Sequence, residues 1–306
     1  MSKVGVVGLG AMGSRIAGRL LNAGFDVHGT NHNMTKARPL IDRGLAWEAT
    51  PRDVAAAADV LISLVADEDA LAGITTGRDG ILAGLAPGKI YVDMSTVSPD
   101  ASVRLAERVG LVGASMLDAP VSGNLRQAAA GTLTVLVGGQ DHVARRAMPV
   151  LRTLGTVTRV GDNGHGVLLK LAINISLAAQ TLAFCEGLML ARRGGIDPRL
   201  AAQLMATSLI GSPMLRRRMP LILDLPERSW FDIDLLQNHI RLALEAAIGL
   251  AVPLPSAATA DVLLTKAREL GYGRHDIAAL HEVLDQLAGT AEPSVTGRAN
   301  GWHCDG

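Results

Sequence analysis

The stretch Val4-Gly5-Val6-Val7-Gly8-Leu9-Gly10-Ala11-Met12-Gly13 decides the fold. The apolar run at 4–7 reads as a buried strand, the glycines as a tight turn, and the Ala/Leu-rich stretch 14–23 as the helix that follows. In that context the G-x-G-x-x-G spacing gives each glycine a task. Gly8 permits the turn, Gly10 lets backbone approach a ligand, and Gly13 lets the helix pack on the strand. The helix start then offers unpaired N–H groups and a partial positive charge to phosphates. A dinucleotide is the expected ligand, held by Gly8, Leu9, Gly10, Ala11, Met12 and Gly13.

Outward from this hexad the first half of the chain alternates. Apolar runs at 4–7, around Val27, and at 60–65, 90–93, 116–118, 133–137 and 157–160 read as strands. Helical stretches at 14–23, 35–43, 51–57, 70–74, 102–109 and 141–154 separate them. Such alternation predicts an α/β Rossmann domain, a doubly wound parallel sheet covered on both faces. After Gly161 strand signals almost vanish. The apolar pattern at 167–191 predicts one long interdomain helix, followed by helical segments at 198–208, 235–249, 256–270 and 277–288. The organisation read from this is an NAD(P)-binding domain at 1–162, an all-helical substrate and dimerisation domain at 163–292, and a flexible tail at 293–306. A helix apolar nearly all round must be buried on most sides, so a homodimer through the helical domain is expected.

Composition bounds the function. With 29 basic and 29 acidic residues the formal charge is zero, which gives no footprint for nucleic acid or a membrane surface. No unbroken run approaches the roughly 18 apolar residues of a membrane span, and the start is too short and glycine-rich for a signal peptide. The two cysteines, Cys185 in an apolar helix and Cys304 in a polar tail, are poor disulfide partners, which fits a reducing cytoplasm. No His/Cys/Asp cluster has metal-ligand spacing, so no metal is expected.

At the end of the second strand an acidic residue would accept the ribose 2′-hydroxyl of NAD and repel the 2′-phosphate of NADP. Gly29-Thr30-Asn31-His32-Asn33 carries no acid there. Asn31, His32 and Asn33 can donate hydrogen bonds and Lys36 adds a charge, so NADP(H) is favoured over NAD(H). No arginine is present to clamp the phosphate, and a polar loop without selectivity is the other reading. Val65, closing the 60–65 strand, is assigned to the cofactor as well.

Three later segments narrow the chemistry: Asp93-Met94-Ser95-Thr96-Val97-Ser98-Pro99, Asp118-Ala119-Pro120-Val121-Ser122-Gly123-Asn124, and Gly161-x-x-Gly164-x-Gly166-x-x-x-Lys170-Leu171-x-x-Asn174. With the hexad, in order and spacing over nearly the whole chain, they resemble the β-hydroxyacid dehydrogenase family. That family includes 3-hydroxyisobutyrate dehydrogenase, tartronate semialdehyde reductase and the glyoxylate/succinic semialdehyde reductases. The resemblance implies hydride transfer between a nicotinamide and a small 3-hydroxy acid or semialdehyde, a small-molecule carboxylate or carbonyl substrate. It makes Lys170 the catalytic general acid/base, Ser122 and Gly123 the receivers of the substrate carboxylate, and Thr96 the residue at the nicotinamide end. Read from the residues alone, a lysine in an apolar helix is unfavourable unless it faces a cleft or partner. Asn174, at i+4, shares its face and can orient it or bind substrate; satisfying the core would serve equally.

Two departures stand out. Ser122-Gly123-Asn124 replaces the family's common Ser-Gly-Gly. In the segment from Phe231 to His239, Asn238-His239 stands where the family has Lys-Asp. Both residues are assigned to the substrate side. Their neutrality points to a bulkier or less anionic head group, or to His239 donating a hydrogen bond where the family uses a charge. Gly271-Tyr272-Gly273-x-x-Asp276 matches the family's C-terminal pattern.

Arg216-Arg217-Arg218 reads as a solvated helix face rather than an anion site, and Met189, Met205, Met214 and Met219 as core filler rather than a pocket lining. His165, between two glycines near Lys170, reads equally well as a cofactor contact or a plain loop histidine. Two alternatives share the architecture: an imine reductase, against which Lys170 and the Asp118–Gly123 run argue, and a non-catalytic cofactor-binding module, which predicts loss of the lysine.

Overall fold

β1 (Lys3–Val7) turns through Gly8 into α1 (Ala11–Asn22), and the chain continues into β2 (Asp26–Thr30), whose residues pair in parallel with β1. The structure, a computed structural model, describes residues 3–290. The expected tail at 293–306, with Cys304, lies outside them.

The alternation continues through α2 (Met34–Ile41), β3 (Ala46–Trp47), α3 (Pro51–Ala57), β4 (Val60–Ser63), α4 (Glu68–Thr75), α5 (Ile81–Gly84), β5 (Ile90–Asp93), α6 (Pro99–Leu111) and β6 (Ser115–Asp118). Then come β7 (Val121–Ser122), α7 (Leu125–Ala130), β8 (Leu133–Gly138), α8 (Asp141–Leu151) and β9 (Gly155–Gly161). The strands lie in the order β3-β2-β1-β4-β5-β6-β8-β7, with β9 on β8. Inward-facing side chains alternate along each strand. Val4 and Val6 meet Ile16 and Leu20 of α1 on one face, while Val7, Leu61 and Tyr91 meet Val54, Leu105 and Val109 on the other.

The expectation of a wholly parallel sheet holds for β1 to β6 and fails beyond. β8 runs antiparallel to both β6 and β7 and parallel to β9. The physical reason lies at Pro120. The chain after β6 does not leave the sheet for a face-covering crossover, which a parallel return would need. It stays on the flank of β8, where Leu136 N–H donates to Pro120 O (3.0 Å) and Ser122 pairs with Thr134. The loop that follows therefore opens beside the strand ends.

α9 (His165–Arg193) carries the chain into a helical region of α10 (Pro198–Thr207), α11 (Pro213–Leu223), α12 (Ile233–Gly249), α13 (Pro255–Glu269), a 3-10 turn (Ile277–Ala279) and α14 (Leu280–Thr290). α9 has 29 residues and contains an 18-residue window of mean hydropathy 1.7, long and apolar enough by those measures to cross a membrane. That corrects the expectation from unbroken apolar runs, which Asn174, Gln180 and Thr181 interrupt. Its start packs on β8 and β9, and all five following helices pack along its remaining length. Ala178, Leu182, Phe184, Cys185 and Leu188 form the centre of that second core with Leu236, Ile240 and Leu264.

α11 departs from the solvated-face expectation for the arginine triplet. Ser212 caps it and Pro213 starts it. Arg218 is 12% exposed and forms an ion pair with the fully buried Asp276. Arg216 and Arg217 both stay at the surface, as expected, Arg217 reaching across to Gln127 Oε1 of α7 (3.3 Å) and Arg216 to Gly211 O (3.2 Å).

Candidate active site

The glycine hexad closes at three points, each for a different steric reason. Gly8 has φ +95, and a Cβ there would stand 2.2 Å from Leu64 O. A Cβ on Gly13 would stand 2.0 Å from Gly8 O, so helix and turn touch backbone to backbone. Gly10, by contrast, faces open space with nothing within 4 Å. It is the N-cap of α1 and provides no side-chain cap, so the first N–H groups of the helix stay free. Two glycines serve the fold, and the third faces open space at the start of α1, where free N–H groups suit an anion. Leu9 is buried beneath it, Met12 is half-buried and Ala11 exposed.

At the adenosine end the Asn33 carboxamide oxygen caps α2 by accepting from Thr35 N–H (2.9 Å), and Asn31 Nδ2 donates to Asn33 O (3.3 Å). The loop is thus pinned by its own asparagines, with His32 and Lys36 exposed at its edge. The nearby acids are engaged elsewhere: Glu48 lies 2.8 Å and Asp26 3.6 Å from the His28 ring nitrogens.

The nicotinamide side is built on buried polar groups that sequence reasoning left without roles. Asp93, at the end of β5, accepts from Ser63 Oγ (2.6 Å), Ser95 Oγ (2.7 Å) and Ser95 N–H (3.2 Å). Ser95 Oγ in turn accepts from Val65 N–H (3.0 Å). This knot ties the loop after β4, with Val65, to the loop after β5, with Thr96 half-exposed beside it. Burial raises the Asp93 pKa against the lowering effect of its serine donors.

Lys170 lies at the second turn of α9, half-buried, with no hydrogen-bonding or salt-bridging partner among the described residues. Burial alone pulls its pKa down to about 8. One turn on, Asn174 is 1% exposed and donates through Nδ2 to His239 Nδ1 (2.8 Å). An amide nitrogen can only donate, so that ring nitrogen is the acceptor and the imidazole proton sits on Nε2. Burial first, and the Lys170 charge second, hold His239 down at about 3, so the ring is neutral. Phe231 packs against it with ring centroids 5.6 Å apart. Asn174 Oδ1 is buried with no hydrogen-bond partner among the described residues. Asn238 is half-exposed on α12 and likewise makes no hydrogen bond among the described residues, whereas its neighbour Gln237 is consumed by Asp261, Thr265 and Arg268.

The structure therefore brings Lys170, Asn174 and His239 together. Ser122 and Gly123 stand on the loop that leaves β7, and the reason for Asn124 is local. Its Oδ1 accepts from Gln127 N–H (3.0 Å) while Gln127 Oε1 accepts from Asn124 N–H (3.2 Å), a reciprocal cap on α7. That departure from Ser-Gly-Gly is a helix start. The segment also contains Asp118, whose role the sequence did not reveal: its carboxylate accepts from Gly164 N–H (2.8 Å) and Val167 N–H (3.0 Å) at the start of α9. Among the described residues no group of three or more His, Cys, Asp or Glu is placed to hold a metal.

A Rossmann domain with an open pyrophosphate cradle, joined to a helical region that presents a desolvated lysine, defines a nicotinamide-dependent oxidoreductase. Residues 3–161 match the model for the NAD-binding domain of 6-phosphogluconate dehydrogenase, and residues 164–284 match that for the NAD-binding of NADP-dependent 3-hydroxyisobutyrate dehydrogenase. The chain belongs to this β-hydroxyacid dehydrogenase family and is an NAD(P)-dependent oxidoreductase. It is 34% identical over 287 residues to 2-hydroxy-3-oxopropionate reductase of Escherichia coli, covering 94% of this chain and 98% of that protein. A 3-hydroxyisobutyrate dehydrogenase from Salmonella typhimurium superposes with a TM-score of 0.85 at 29% identity, over 92% of this chain and all of the other. An imine reductase from Pseudomonas sp. reaches only 0.61 at 23% identity over 92% and 99%, a likeness of fold alone.

Proposed function

We propose that this chain reduces a small semialdehyde to the 3-hydroxy acid, or runs the reverse oxidation, with NADP(H) preferred and Lys170 as the proton donor and acceptor. The observation that carries this reading is the environment of Lys170. Its ammonium is desolvated, has no carboxylate partner among the described residues, and lies beside a neutral Asn174–His239 pair. A lysine lowered to about 8 is poised to give up its proton near neutral pH. The nicotinamide, when bound, supplies or receives the hydride. Lys170 protonates the carbonyl oxygen as an alkoxide develops, and in reverse it takes the hydroxyl proton. Asn174 keeps its face of α9 fixed through His239 and offers Oδ1 to the substrate. Ser122 hydroxyl and the Gly123 N–H are donors for the substrate carboxylate.

Asn238 and His239 put no charge on the substrate side, which supports a head group bulkier or less anionic than a second acid. Asn31, His32, Asn33 and Lys36 with no free acid support NADP(H). The two cores support a division at 1–162 and 163–292. Exposed apolar residues of the helical region, among them Leu190, Leu204 and Ile248, support a homodimer there. The neutral charge balance supports a cytoplasmic enzyme without nucleic-acid or membrane partners.

The test is steady-state oxidation of NADPH and NADH against a panel of small aldehydes and keto acids, with Lys170→Ala in parallel. Turnover that is higher with NADPH and lost by orders of magnitude in the variant supports the proposal. Equal rates in the two proteins would overturn the role of Lys170.

A further inference from the structure

We propose that Asp118 is the positioning residue that sets Lys170 in place, by capping the lysine's helix from a different strand and enclosing its carboxylate in glycine. α9 begins at Gly164, which has φ +92 and no side chain with which to cap its own helix. The cap comes from the end of β6, where Asp118 Oδ1 accepts from Gly164 N–H and Oδ2 from Val167 N–H. Gly166 N–H adds a further bond to the carboxylate. A carboxylate at this point meets free N–H groups and the positive end of a 29-residue helix.

The enclosure is steric as well as polar. A Cβ on Gly166 would stand 2.6 Å from Asp118 Oδ2, and a Cβ on Gly138 of β8 2.5 Å from Oδ1. Asp118 is fully buried. Neither glycine can be enlarged without crowding the carboxylate, and a Cβ on Gly166 would also stand 2.6 Å from Leu136 O of β8. The docking is reinforced by Asn163 Nδ2, which donates to Met116 O (3.1 Å) two residues before Asp118.

The consequence for the site follows from chain geometry. Lys170 is three residues beyond Val167, about 4.5 Å along the helix axis. Ser122 is four residues beyond Asp118, on the loop that Pro120 and β7 hold against β8. One carboxylate thus fixes the distance between the proton donor and the carboxylate-receiving loop. The Gly161-x-x-Gly164-x-Gly166 spacing is accounted for on the same grounds: Gly164 supplies the turn and a donor, and Gly166 leaves room for the Asp118 oxygens.

This inference rests on Lys170 as the proton donor, so its test includes a measurement that needs no turnover. In Asp118→Asn one oxygen can still accept, but the amide NH2 faces a backbone N–H. The start of α9 then loosens and Lys170 gains access to water. The pH midpoint for acylation of Lys170 in the protein without cofactor, read by competitive labelling and mass spectrometry, is expected to rise by about one unit as desolvation is relieved. The kcat is expected to fall about 100-fold, as for a displacement near 1 Å, with KM for NADPH within twofold. Gly166→Ala, which keeps every hydrogen-bonding group and crowds the carboxylate, is read the same way and decides the matter where Asp118→Asn does not fold. An unmoved Lys170 midpoint in a folded variant overturns the proposal. A moved midpoint in Asp118→Asn together with a fully active Lys170→Ala would uphold the positioning role and overturn Lys170 as proton donor.

Discussion

Asn174 Nδ2 lies 2.8 Å from His239 Nδ1, and both side chains are buried beside Lys170. The imidazole takes the carboxamide where the family pattern has an aspartate, so a neutral ring stands beside the lysine while α9 keeps a partner. His239→Asp keeps an acceptor for Asn174 and adds a negative charge next to the ammonium. An opposite charge favours the protonated lysine. The alkaline limb of kcat for carbonyl reduction is expected to move upward by about one pH unit or more. A pH profile with saturating NADPH reads it, and an unmoved limb would refute the counter-charge argument.

The direction of the wild-type profile follows from the same group. With Lys170 as the proposed proton donor, reduction needs its protonated form, so the rate is expected to hold below about pH 8 and to fall as pH rises through that value. Oxidation needs the neutral amine and is expected to rise through the same midpoint. Lys170→Ala is expected to lose about 10²–10⁴ in kcat in both directions, with the dissociation constant for NADPH, read by fluorescence titration, within twofold of wild type.

His239 makes a separate prediction about stability. Its folded pKa of about 3 lies below the ordinary imidazole value of 6.5. Between those values the unfolded chain binds a proton that the folded one refuses, so stability is lost as pH falls from 6.5 toward 3. His239→Gln cannot titrate. The stability difference between the two proteins, measured by urea unfolding, is expected to narrow by a few kcal/mol as the pH is lowered across that window. A pH-independent difference would show that the ring is not held neutral by its burial.

The three glycines of the hexad separate fold from ligand. Gly10→Ala meets open space and is expected to leave the melting temperature within about 2 °C, because nothing in the protein is displaced. NADPH binding is expected to weaken tenfold or more, since a methyl group occupies the pyrophosphate approach. Gly13→Ala drives a Cβ into Gly8 O and is expected to lower the melting temperature as well. Calorimetry and titration of both variants distinguish the two behaviours.

Much of this architecture is legible in the sequence because its causes are local. The hexad, Pro51 starting α3 and the apolar periodicity of 167–191 each report on residues within a turn or two of themselves. Lys170 stands out through the family resemblance and as a lone lysine in an apolar helix, and Asn174 through sharing its face at i+4. What escaped depends on distant partners. The Asp118 carboxylate meets N–H groups 46 and 49 residues further along, and no pattern around Asp118 announces them. α7 is six residues long and owes its start to a reciprocal cap rather than to an apolar face. The reversal of β8 follows from the path after Pro120. In α11, the three arginines and Pro220 masked a helix whose Arg218 turns inward to a buried acid.

That acid supports the last prediction. Asp276 is fully buried and accepts from Trp230 N–H (2.9 Å), Phe231 N–H (3.2 Å) and Ala278 N–H (3.0 Å) besides pairing with Arg218. Phe231 in turn packs on the His239 ring, so the pair supports the segment that backs the site. Removing only the cation leaves a buried charge with backbone donors alone. Arg218→Ala is expected to cost about 3–5 kcal/mol, as for breaking one side of a buried pair. Arg218→Ala/Asp276→Asn removes the charge too and is expected to recover part of that loss. Urea unfolding of the two single variants and the double variant measures the coupling. Additive losses would mean that the pair contributes no more than its separate hydrogen bonds.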